Sequence, residues 1–144
     1  MKLDLNQAAY RRGDKKFNAG RYAEAAREFL VAIDDWPEDW MAMHALGDCY
    51  SEAKKPRKAE KWFRLAIENA PEEERPNLLY NLGNALFDQQ RFDEAIRVYR
   101  EVPRGHSVWR LATNNIAISE KRLTNVSSTN LAYWRSRVQW QMRR

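Results

Sequence analysis

The sequence predicts an all-α fold, an α-α superhelix (a solenoid) of three helical hairpins closed by C-terminal capping helices. Three observations carry that prediction. Gly13 returns as Gly47 at +34 and then as Gly83 at +36. Ala25, Ala59 and Ala95 keep the same offsets, as do Phe29, Phe63 and Tyr99, and Ala32 returns as Ala66. Pro37, Pro71 and Pro76 fall between the units, where proline disturbs a helix least. A period of this length marks a stack of supersecondary units, each unable to bury its apolar face without a neighbour. Such stacks bind along one face rather than carry out chemistry.

The first unit, about 6–39, divides at Gly20-Arg21 into helices over 7–19 and 22–35. The second, about 40–73, has helices over 40–53 and 56–69, with Asp39 as N-cap and Pro56 opening its second helix. The third, about 76–103, has helices over 76–89 and 92–102. Gly13, Gly47 and Gly83 sit where two helices must approach closely, and Phe29, Phe63 and Tyr99 supply knobs to fill the gaps. Leu46, Tyr50, Leu82 and Leu86 form an apolar stripe at helical spacing. Val102 breaks the Ala32/Ala66 pattern, and Pro103 with Gly105 stops the sixth helix early. A capping helix follows over about 107–123, with Leu111, Ala112, Ile116, Ala117 and Leu123 turned to the open end of the stack. Thr124 to Asn130 is polar and poor in helix formers, which predicts a loop at 124–130. The repeat domain therefore spans 1–123 and the loop is a linker. A basic aromatic helix over 131–144 ends the chain, with Leu131, Trp134, Val138 and Met142 on one side and Tyr133, Arg137 and Trp140 on another.

Asn81-Leu82-Gly83-Asn84-Ala85-Leu86, followed by Arg91-Phe92-Asp93-Glu94-Ala95-Ile96, lies close to the tetratricopeptide repeat consensus. So does Ala45-Leu46-Gly47-Asp48-Cys49-Tyr50, with Lys58-Ala59-Glu60 and Ala66-Ile67-Glu68-Asn69-Ala70-Pro71 downstream. The chain resembles a tetratricopeptide repeat protein over about 6–103. The first repeat is weaker, with Arg12 where the others carry Leu46 and Leu82.

The resemblance implies a concave channel lined by the inner side of the first helices, holding an extended or helical peptide. By phase its wall comprises Gln7, Tyr10, Asp14, Phe17 and Asn18, then Met41, His44, Asp48, Ser51 and Glu52, then Asn77, Tyr80, Asn81, Asn84, Phe87 and Asp88. The capping helix extends it with Leu111, Asn114, Asn115, Ile118 and Arg122. Asn side chains offer a donor and an acceptor for peptide amides. Tyr10, Phe17, Tyr80 and Phe87 offer faces for an apolar or cationic side chain. Asp14, Asp48, Glu52 and Asp88 make the channel acidic and favour a basic partner. Family members that clamp the acidic C-terminus of heat-shock chaperones use a Lys/Asn/Arg set. The matching places here hold Tyr10, Asp14, Ala45, Asn77 and Asn81, which argues against that specificity. The implied role is a non-catalytic adaptor, scaffold or assembly chaperone for a protein or peptide, with a basic or apolar segment in the groove.

Charge divides the chain. Residues 1–103 hold 17 Lys/Arg against 19 Asp/Glu, whereas 104–144 hold 8 basic residues against the single acid Glu120. The tail residues Trp134, Arg135, Arg137, Trp140, Arg143 and Arg144 admit three readings. They form a last structural helix packed on the stack through Trp134 and Val138, or they enter an acidic groove of the same or a second molecule, giving autoinhibition or a homodimer. Alternatively they contact nucleic acid or an anionic surface. Two histidines and one cysteine in no ligand spacing imply neither metal nor cofactor, and no phosphate loop or nucleophile elbow is present, so an enzyme is not expected. Cys49 fits a reducing compartment, Met1–Asn6 carries no apolar signal region, and the cytoplasm is the expected location.

Overall fold

Three small-against-large contacts set the spacing of the helices. A Cβ placed on Gly13 would lie 2.8 Å from Cε1 of Phe29, one on Gly47 2.6 Å from Cδ1 of Phe63, and one on Gly83 would collide likewise with the ring of Tyr99. Each glycine thus lets an aromatic ring from the second helix of its hairpin lie against the first helix's backbone. In the computed structural model, which describes residues 2–143 and side chains over 6–143, seven α-helices follow in order. They are α1 (Lys2–Asn18), α2 (Tyr22–Asp35), α3 (Trp40–Glu52), α4 (Pro56–Asn69), α5 (Arg75–Asp88), α6 (Phe92–Arg100) and α7 (Trp109–Met142). A short 3-10 turn, Glu72–Glu74, precedes α5. Arg144, expected in the basic tail, lies outside the described residues.

Packing runs from neighbour to neighbour, α1 on α2, α2 on α3, α3 on α4 and onward to α6 on α7. Phe29, Phe63 and Tyr99 are each 1% exposed; Phe29 lies in one core cluster and Phe63 and Tyr99 share the next, so the core is distributed along the stack rather than gathered at one centre. Between the first two units Asp39 has two tasks. One carboxylate oxygen accepts from the Ala42 amide at 3.1 Å and caps α3, while the other accepts from Asn6 Nδ2 at 2.9 Å. Asn6 also donates to the Ala32 carbonyl at 2.7 Å, so the start of α1 is tied to the end of α2 and the cap of α3.

Each first helix closes with one residue in the left-handed region: Gly20 (φ 77°), Lys54 (φ 59°) and Gln90 (φ 60°). The amides of Arg21, Lys55 and Arg91 then reach back to the carbonyls of Lys16, Tyr50 and Leu86. Glycine takes this conformation without strain, whereas Lys54 and Gln90 do so at a cost.

The loop expected at 124–130 is not formed: α7 runs unbroken from Trp109 to Met142, so the predicted capping helix and tail helix are one element. No Gly or Pro follows Gly105 to break it. Two of the hydroxyls that argued for a loop are satisfied within the helix, Thr124 donating to the Glu120 carbonyl and Thr129 to that of Asn125. The expectation that Trp134 and Val138 pack on the stack is also corrected. Trp134 is 61% exposed, and every described residue from Thr124 onward is exposed. At the stack end Ala112 is buried and Ile116 and Leu123 are half-buried, whereas Leu111 and Ala117 face outward. No described helix is long and apolar enough to cross a membrane.

Candidate functional site

The inner sides of α1, α3 and α5 bring about half of the predicted residues into two cavities that share no lining residue. The first, of about 420 Å³, is lined by Phe17, Asp48, Ser51, Glu52, Asn81, Asn84 and Asp88, with Lys54 and Phe63. The second, of about 320 Å³, lies towards the start of α1 and is lined by Asn6, Gln7, Tyr10, Arg11, Trp36, Asp39 and Met41. Tyr10 of the second cavity and Phe17 of the first lie two turns apart on α1, about 10 Å along its axis.

The first cavity is acidic. Burial pushes the Asp48 carboxyl up; His44 pulls it down and Glu52 adds to the rise. His44 Nε2 lies 2.9 Å from Asn81 Nδ2 and 3.6 Å from Asp48 Oδ2, so the imidazole bridges α3 to α5. The His44 ring also meets Phe63 edge-on at 6.1 Å. The second cavity is more apolar, with Trp36 and Met41 exposed at its rim. Burial pushes the Tyr10 hydroxyl up, and the carboxylates of Asp14, Asp39 and Asp48 add to it, so it stays protonated as a donor.

Ring pairs stiffen the wall. Phe17 meets Tyr22 edge-on at 5.2 Å and Phe87 meets Phe92 at 5.2 Å, each joining the end of a first helix to the start of the next. Tyr10 meets Phe29 at 5.3 Å, and Tyr80 lies 6.1 Å from Tyr99. Two asparagines expected to face a peptide are engaged with one another. Asn84 Oδ1 accepts from the Tyr99 hydroxyl at 2.6 Å and from Asn115 Nδ2 at 3.0 Å, a network that holds α7 against α5 and α6. Asn84 still lines the acidic cavity, whereas Asn115 lines neither. Asp14, His44, Asn77, Tyr80, Phe87 and Asn114 also lie outside both linings.

Sequence reasoning missed Lys54 and Phe63 in the first cavity and Asn6, Arg11, Trp36 and Asp39 in the second. Lys54 occupies the left-handed position equivalent to Gly20, which was legible in the repeat register. Phe63 was assigned to the core, and its edge reaches the trough only because Gly47 lacks a side chain. Trp36 lies between units, where the repeat pattern gives no direction. Cys49 is buried and its thiol is pushed up to about 12 by burial, with Asp48 adding to the effect, which leaves it protonated near neutrality. Among the described residues no cluster of His, Cys, Asp and Glu is arranged to hold a metal ion.

Stacked hairpins with glycine–aromatic joints and an inward trough define a helical repeat protein, and comparison settles which. Models of the tetratricopeptide repeat match residues 10–74 and 76–102, and the chain belongs to that family. Among solved structures, the first such domain of human RPAP3 is similar with a TM-score of 0.74 and 22% identity, over 86% of this chain and 96% of that one. The first such domain of Spaghetti (RPAP3), bound to the HSP90 peptide SRMEEVD, gives 0.72 and 22%, over 84% and 97%. The TPR2B domain of yeast Sti1, in a complex with pHsp70, gives 0.73 and 15%, over 82% and 98%. At these identities the likeness is one of fold. Comparison with curated proteins gives no match.

Proposed function

We propose that this chain is a non-catalytic protein-interaction module that holds a peptide or protein segment in its inner trough, in an adaptor, scaffold or assembly-chaperone role. One observation carries the reading: a more apolar cavity with Tyr10, Trp36 and Met41 and an acidic one with Phe17, Asp48, Glu52 and Asp88 are both lined by α1, at positions about 10 Å apart along that helix. A segment with an aromatic or aliphatic anchor and a cation about 10 Å away satisfies both. Peptides with acidic ends, such as the one held by Spaghetti, are disfavoured. The acidic cavity's lining supplies Lys54 against Asp48, Glu52 and Asp88, and the places matching the Lys/Asn/Arg clamp hold Tyr10, Asp14, Ala45, Asn77 and Asn81, none of them a cation. The lone cysteine suits a reducing compartment such as the cytoplasm.

The test is a fluorescence titration of the full chain with labelled peptides carrying Trp and Arg two to four residues apart. Asp48→Asn with Asp88→Asn is expected to weaken binding about tenfold, a loss of ~1.4 kcal/mol, without loss of helicity. Peptide affinity indifferent to both substitutions, or tighter binding of SRMEEVD than of the basic peptides, refutes the reading.

A further inference from the structure

We infer that the trough is the receptor for the projecting end of α7 from a second copy of this chain. The inference rests on the reading of the trough as a segment-binding site and names the segment.

α7 is 34 residues long, whereas the first helices before it have 13 to 17. Its first half packs on α6, and Gln90 and Phe92 flank it as far as Asn130. Residues 131–143 extend beyond that by about 20 Å at 1.5 Å per residue. Leu131, Trp134 and Val138 lie along one side of this extension and Tyr133 and Trp140 on another, each more than half exposed. Apolar surface on two flanks of one helix calls for a cover that a lone helix lacks.

Charge selects the cover. Among the described residues Arg135, Arg137 and Arg143 have no ion-pair partner, and no acidic side chain follows Glu120 in the sequence. Two extensions laid side by side would bring cations together with nothing to neutralise them, which disfavours tail-to-tail pairing. The trough has the opposite character, with Asp48, Glu52 and Asp88 lining one cavity and the Asp48 side chain still 40% exposed to an incoming cation. Trp134 and Arg137 lie three residues apart on adjacent sides of the helix, about 60° apart around its axis. Arg137 donates to the Tyr133 hydroxyl at 3.0 Å and exchanges that contact for a carboxylate of the trough. The helix rise between them, together with an outstretched Arg side chain, spans the step from the apolar cavity to the acidic one. Geometry selects the copy: α7 is unbroken through Met142 and its described residues from Thr124 onward are exposed, so the extension does not fold back into its own trough and is free to enter another molecule's. Reciprocal exchange of two extensions closes as a dimer.

Light scattering on the full chain tests this. At about 100 µM, where even a weak micromolar contact is populated, the wild type is expected at twice its 17.1 kDa mass. Trp134→Ser with Arg137→Glu, and separately Asp48→Asn with Asp88→Asn, should each give monomers of unchanged helicity. Mixing the two variants should restore a one-to-one complex, since one supplies an intact extension and the other an intact trough. A monomeric wild type overturns the inference, as does a trough variant that stays dimeric or a mixture that fails to associate. Should the wild type be monomeric while basic Trp/Arg peptides still bind through Asp48 and Asp88, self-occupancy falls and the trough reading stands. If neither occurs, both fall.

Discussion

The glycine–aromatic joint makes a quantitative prediction. Gly47→Ala places a methyl group 2.6 Å from Cδ1 of Phe63, a ring that is 1% exposed and held between α3 and α5. Alanine in a helix interior is worth roughly 1 kcal/mol over glycine, whereas forcing a buried ring aside costs about 1–3 kcal/mol. The single variant is therefore expected to lose up to about 2 kcal/mol. Phe63→Leu, which thins the side chain next to Gly47, should lose roughly 1–2 kcal/mol through lost burial and a small cavity. Combined, the new methyl occupies space the ring vacates and the helix gain is kept. The double variant should then be more stable than the sum of the two losses by at least about 1 kcal/mol. Urea unfolding followed by circular dichroism at matched conditions measures all four proteins. Additivity within about 0.5 kcal/mol would refute the claim that Gly47 is small because Phe63 occupies its side-chain space. Phe63 also floors the acidic cavity, so Gly47→Ala alone should weaken trough ligands.

Other consequences concern single contacts. Tyr99→Phe removes the hydroxyl that joins Asn84 and Asn115, and should lower stability by about 1–2 kcal/mol and raise amide exchange first in α7. Gln90→Gly relieves a left-handed residue and should stabilise by up to about 1 kcal/mol, read as a higher unfolding midpoint. Burial pushes the Glu60 carboxyl up, yet hydrogen bonds from Gln89, Arg64 and Arg91 prevail and hold it below its ordinary range. Its contribution is therefore present above the ordinary carboxylate range and is lost as pH falls below it. Glu60→Gln should cost about 1 kcal/mol at pH 7, with the gap to wild type closing in thermal melts as pH falls below the ordinary carboxylate range. The Cys49 thiol should resist alkylation at pH 8 in the folded protein and react on unfolding. With its folded value pushed up to about 12, its stabilising term is complete below the ordinary thiol range and declines as pH rises above it.

The period of 34, the glycine and aromatic positions, the Asp39 cap and the Pro56 start were all legible, because each reflects backbone geometry repeated at a fixed register. Hairpin boundaries followed to within a few residues, except for α1, which starts at Lys2, and α7. The Thr124–Asn130 run misled because propensity argues for a loop, whereas the absence of Gly and Pro and the Thr124 and Thr129 back-bonds let the helix continue. Half of the trough was equally legible: Phe17, Asp48, Glu52, Asn81, Asn84 and Asp88 share one phase and meet in one cavity. Asn115 was not legible as a structural partner of Asn84, since an amide's hydrogen-bond partner depends on a neighbouring helix.

By itself the sequence determined the number of hairpins, the inner helix faces and the opposed signs of body and tail, since periodicity and charge are properties of the chain alone. Tertiary structure decided which side chains spend their polar groups on one another, where Lys54, Phe63 and Trp36 enter the wall, and that the tail projects. These depend on distances between helices, which no local pattern encodes.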